Sequence, residues 1–103
     1  MNRYWLIRGY DSFDTIFEMK VKLGQFTRRQ IEDLLRALAA KAGLTYQEIV
    51  GAYATRRSQI ANNLLEVSSD PKYPSYRCGT NPHFTASIVD EDGKITPFPE
   101  SNH

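Results

Sequence analysis

The stretch FTRRQIEDLLRALAAKAGL, residues 26–44, decides the fold, and the rest of the chain is placed around it. Thr27 stands as a helix N-cap and Gln30, three residues on, closes a capping box, giving side-chain acceptors to two backbone N–H groups. Phe26 before the cap and Ile31 inside the helix are spaced as a hydrophobic staple. Ile31, Leu34, Leu35, Leu38, Ala39 and Ala42 recur at the interval of one buried helix face. Gly43 suits the left-handed residue that ends a helix, and Leu44 can fold back on Leu38 or Ala39. Arg28, Arg29, Glu32, Asp33, Arg36 and Lys41 fill the opposite, solvated face.

On the N-terminal side, the apolar run Tyr4 to Arg8 predicts a strand covered on both faces. Turn-formers occupy Gly9 to Asp14. From Thr15 to Leu23 the alternation is strict, with Phe17, Met19, Val21 and Leu23 on one side and Ile16, Glu18, Lys20 and Lys22 on the other. The two strands are expected to pair as an antiparallel hairpin, with the Phe17 row facing the helix.

On the C-terminal side, Thr45 and Glu48 form a second capping box, and Ile49, Val50 and Tyr53 supply an apolar side for a helix to about Ala54. An irregular or short helical piece over Thr55–Ala61 and a strand over Leu64–Ser68 follow. Two prolines bar helix from DPKYPSY (70–76), and RCGTNPHF (77–84) reads as turn-rich. Phe84, Ala86 and Ile88 alternate with Thr85, Ser87 and Val89 as a strand, and Asp90–Gly93 turns into a last strand over Lys94–Thr96. The predicted order is β-β-α-α-β-β-β: an α+β domain over residues 1–98 with both helices on one face of an antiparallel sheet, and a frayed tail over 99–103.

The totals narrow the function classes. A net charge of +1 gives no global attraction to nucleic acid or to an anionic membrane. That value conceals ten Lys and Arg against six Asp and Glu in residues 1–60, and three against six in 61–103, a split that follows solvated faces more often than partners. The single Cys78 rules out an internal disulfide framework, no run approaches the roughly 18 apolar residues of a membrane span, and no signal-peptide core opens the chain. A cytoplasmic location and no membrane association are the expectation. The glycines are scattered singly, so no loop cradles a phosphate. One Cys and two His fall short of a zinc set, and Asp11, Asp14 and Glu18 lack the spacing of a calcium loop. Neither metal nor cofactor is implied.

Four groupings carry possible chemistry. Cys78, Asn81 and His83 lie in one octapeptide, where a histidine beside a thiol is the pairing of a small Cys/His enzyme. The bland reading makes them turn and packing residues. The stretch LTYQEIVGAYATRRSQIANNLL, residues 44–65, resembles the helix-turn-helix cadence of small DNA-binding proteins, with a capped helix, a break near Ala54–Thr55 and a basic second half. The resemblance implies that Arg56, Arg57 and Gln59 contact phosphates and base edges. Its turn lacks the usual glycine, and Asn63 stands where an apolar residue is common. Tyr4, Trp5, Tyr10 and Phe13 near Arg3 and Arg8 are stacking residues for single-stranded bases, or simply core. Finally, Tyr73 and Tyr76 sit in a proline-stiffened loop suited to a protein contact. The sequence thus favours a small non-enzymatic interaction module working through a protein partner or self-association at a sheet edge. A DNA-binding protein is the alternative, and a Cys/His enzyme the second.

Overall fold

Helix α1 (Arg28–Gly43) starts where its N-cap predicts, whereas Gly43 is not left-handed but the last helical residue, with extended Leu44 as the C-cap. The Thr27 hydroxyl accepts from the Gln30 N–H at 3.2 Å, and the Gln30 side-chain carbonyl accepts from the Thr27 N–H at 2.9 Å. Its buried residues are Ile31, Leu35 and Ala39, with Leu34 and Leu38 half-covered along one flank and Ala42 exposed. The computed structural model describes residues 2–80 and 82–95 of the chain. Around α1 it places β1 (Tyr4–Asp11), β2 (Asp14–Lys22), α2 (Tyr46–Tyr53), β3 (Val67–Ser69), β4 (Ser75–Gly79) and β5 (His83–Val89), with a short turn of 3-10 helix at Leu23–Gln25. The expected tail at 99–103 and the end of the strand expected at Lys94–Thr96 lie outside the described residues.

The strands form one antiparallel sheet in the order β2-β1-β5-β4-β3. The fold is α+β, and α1 packs across β3, β4 and β5. Beneath it lie Trp5, Ile7, Tyr76, Cys78, Phe84, Ala86 and Ile88, each at most 4% exposed, and Leu65 from the segment leading into β3. Two polar contacts fix the helix to this layer. The Trp5 indole N–H donates to the Phe26 carbonyl at 3.3 Å, and Arg36 Nε donates to the Leu65 carbonyl at 3.2 Å.

The letter order matches the expected one, but its members differ. Strand β1 runs on through Gly9 to Asp11, so the hairpin closes in two residues, Ser12 and Phe13, instead of six. Gly9 reads as a turn residue in isolation; here the Phe84 ring lies over its missing side chain, and a Cβ would overlap that ring. Ser75–Gly79, expected as loop and turn, is strand β4 between β5 and β3. Tyr76 and Cys78 face the core while Arg77 faces out, an alternation hidden among prolines and a glycine. The strand expected at 64–68 is shorter and starts later, at Val67. Of the strand expected at 94–96, Ile95 makes a single bridge to Val89.

Tyr76 has its hydroxyl buried without a hydrogen-bond partner among the described residues. An orphaned buried hydroxyl carries a desolvation cost with no return. Tyr76→Phe is therefore expected to raise stability by about 1 kcal/mol, and Gly9→Ala to lower it by about 2 kcal/mol through overpacking against Phe84. Urea unfolding midpoints of the two variants check both signs.

Candidate functional site

Neighbouring strands lie about 4.8 Å apart, so the outer strands of a five-stranded sheet are separated by about 19 Å, whereas one helix with its side chains is about 10 Å wide. With α1 seated over β3, β4 and β5, strand β2 lies at the margin of its reach. The row expected to face the helix does lie on that side: Phe17, Met19 and Val21 line one groove with Leu34 and Leu38 of α1, floored by Ile7 and closed at one end by Phe26 and Gln25. The helix covers this row only at Val21, which is half-buried. Phe17 is 37% and Met19 52% exposed, and the groove between strand and helix measures about 470 Å³. Its lining is apolar apart from Gln25, and α2 contributes nothing to it.

Strand β2 is also an outer strand of the sheet, with backbone groups facing away from β1. The Leu23 N–H donates to the Arg3 carbonyl at 3.1 Å, one step beyond the Tyr4–Lys22 pair. Antiparallel pairs alternate, so Val21, Met19 and Phe17 exchange hydrogen bonds with β1, and Glu18, Lys20 and Lys22 present their N–H and C=O groups to the free edge. Near the hairpin the register slips: Gly9 opposes Phe17 and Tyr10 opposes Thr15, leaving Ile16 as the extra residue of a bulge. On the far face of the sheet, Arg8 Nε lies 2.6 Å from a Glu18 carboxylate oxygen, and Lys20 sits over the Tyr4 ring at 4.9 Å.

The other sites expected from sequence are dispersed by the fold. Cys78 and His83 are not brought together: Cys78 points into the core at 1% exposure, while His83, opposite Tyr10, stacks on that ring at 5.1 Å on the outer face. Alternation across the β4–β5 turn sends the two side chains to opposite faces. Burial pushes the Cys78 thiol above its ordinary range, with the Arg36 guanidinium opposing the shift. This is the reverse of the lowered pKa that activates a nucleophilic thiol. Asn81 lies outside the described residues. Among the described residues no group of three His, Cys, Asp or Glu gathers as a metal site, and no helix is long and apolar enough to cross a membrane.

The helix-turn-helix cadence is overturned as well. Helix α2 ends at Tyr53, and residues 54–63 are turns and extended chain, so Arg56, Arg57 and Gln59 are exposed without a recognition helix to present them. Asn62 is the cause. Its backbone N–H donates to the Gly51 carbonyl at 3.1 Å and its side-chain amide to the Glu48 carbonyl at 2.9 Å, satisfying the end of α2 from outside. Gly51 admits this approach, since a Cβ there would strike the Ile60 carbonyl. The apolar side expected of α2 remains largely in solvent, with Val50 and Tyr53 exposed beside Tyr46 and Ile60.

Tyr76, expected as a surface aromatic, is 1% exposed: it faces inward from β4, with the Arg28 guanidinium over its ring at 5.2 Å. Tyr73 is exposed, beside Lys72. Of the stacking set, Trp5 is in the core, the Tyr10 and Tyr4 rings carry His83 and Lys20, and Phe13 stands free at the hairpin tip. Comparisons of the chain with protein-family models, with curated proteins and with solved structures gave no match.

Burial also raises the Tyr76 phenol, opposed by Arg28. Both buried acids are favoured neutral in the fold, so their contribution is full below their ordinary unfolded values and is lost as pH climbs through the raised folded ones. Urea midpoints measured from about pH 8 to 11 should fall with rising pH, with an earlier onset in the parent than in Cys78→Ala. Thiol titration of native protein should be slow and become fast on unfolding.

Proposed function

We propose that this chain is a small non-enzymatic protein-interaction module whose contact surface is the β2 side of its sheet. One observation supports the reading above the others: Phe17 and Met19, patterned as core, stand exposed next to a half-buried Val21 and beside Leu34 and Leu38, on a strand whose outer edge is unpaired among the described residues. A contiguous apolar surface of this kind is the ordinary mark of a binding site. The unpaired edge adds direction, because N–H and C=O groups accept a strand in a few registers only. The exposed aromatic side of α2 has no such edge beside it. The Cys/His reading loses its pair to opposite faces of the sheet, and the DNA reading loses its second helix.

A photoreactive phenylalanine analogue at position 17 or 38 is expected to give covalent protein adducts under native conditions, whereas the same group at Arg77, on the opposite face, should not. Absence of adducts from both groove positions would remove the reading.

A further inference from the structure

We propose that the partner seated on β2 is a second copy of this chain, joined edge to edge about a two-fold axis at Met19 to make one ten-stranded sheet. The inference rests on the interaction reading above and names its occupant. It follows from which registers the strand permits.

Self-pairing must be antiparallel to close as a symmetric dimer, and each register is defined by the residue on the axis. With Glu18 on the axis, two carboxylates oppose each other; with Lys20 there, two ammonium groups do. With Phe17 there, the paired segment crosses the bulge at Ile16, where the edge is no longer regular. Met19 on the axis avoids all three. Glu18 then opposes Lys20 of the second copy, and symmetry repeats the pair.

These are the residues whose backbone groups point to the free edge, so Glu18 and Lys20 of the second copy exchange both backbone hydrogen bonds as well as charge. On the outer face the row across the seam reads Arg8, Glu18, then Lys20 of the second copy, alternating in sign and extending the existing Arg8–Glu18 ion pair. On the helix side, Phe17 meets Val21 of the second copy and Met19 meets its own symmetry mate. The two uncovered rows thus merge into one apolar stripe between the two α1 helices. Lysines on an edge strand often guard against pairing; in this register each Lys20 meets an opposite charge instead.

The test is charge complementation read by molecular mass. The parent chain at submillimolar concentration should show twice the 11.8 kDa chain mass in sedimentation equilibrium. Glu18→Lys and Lys20→Glu each set like charges across both symmetry-related pairs, so each alone should dissociate on the order of tenfold more readily. An equimolar mixture of the two variants restores opposite charges at both pairs and should associate at least as well as the parent, which also controls for folding. Met19→Cys places two thiols at a non-hydrogen-bonded pair about 4.5 Å apart at Cα, within disulfide reach. It should cross-link under mild oxidation, whereas Phe17→Cys, which opposes Val21, should not; the native Cys78 is buried away from the seam.

A single-chain mass throughout, a dimer indifferent to both charge variants, or a mixture no tighter than its components would overturn the proposal. If the chain is monomeric while position 17 still captures a different protein, the second copy is excluded and the interaction module stands.

Discussion

One helix cannot roof five strands, and where α1 is seated on the sheet decides what the molecule buries and what it exposes. The seat is set by contacts that leave little freedom. Ile31 and Leu35 are wholly buried over the sheet, Trp5 ties the entry of the helix to the layer below, and Arg36 reaches the carbonyl of Leu65 beside the start of β3. The Trp5 contact holds the helix entry over β1, and the Arg36 contact draws its body towards the β3 side. The apolar row of β2 is left at the opposite margin, flanked by Leu34 and Leu38 but covered only at Val21. Sliding the helix over β2 would expose Tyr76 and Cys78, two of the most deeply buried side chains in the protein.

The same geometry explains why the sheet tolerates an exposed row. Its core needs little from β2, since the described residues below 5% exposure come from β1, β4, β5, α1, Leu65 and Pro74, and β2 adds only the half-buried Val21. Strand β2 is held instead by its ladder with β1 and by pairs such as Arg8–Glu18, exposed contacts each worth a fraction of a kcal/mol. An exposed apolar side chain there adds little to folding, so Phe17 and Met19 contribute little to stability.

Much of this was readable in the residues. The two capping boxes located both helix starts, because a Thr with Gln or Glu three residues on is a local signal that tertiary contacts seldom override. Period-two alternation put Phe17, Met19 and Val21 on the helix side of β2. What alternation cannot carry is how far a helix reaches, so the row was legible as apolar and one-sided but not as uncovered. Strand β4 escaped because its apolar pair, Tyr76 and Cys78, is bracketed by Pro74 and Gly79. Pro74 is buried and its carbonyl accepts from the Ile88 N–H at 3.1 Å, a use of proline that only the neighbouring strand reveals. The same company of prolines makes Tyr76 read as a surface residue. The end of α2 near Ala54 was legible, but not the Asn62 hydrogen bonds to Glu48 and Gly51 that satisfy it, a contact between residues too distant for helical spacing to show.

An apolar groove alone is a poor instrument of recognition, because burial is non-directional and any greasy surface of suitable shape satisfies it. A bare strand edge has the opposite weakness: its hydrogen bonds are directional but accept any extended backbone. Strand β2 carries both on one element, in alternating residues. Phe17, Met19 and Val21 supply the apolar row while Glu18, Lys20 and Lys22 supply the free amides and the charges. The period of two that builds the strand therefore links the two kinds of contact, and a partner that satisfies the edge in the wrong register misaligns its charges by a full residue pair. On the contact surface proposed above, specificity comes from that coupling.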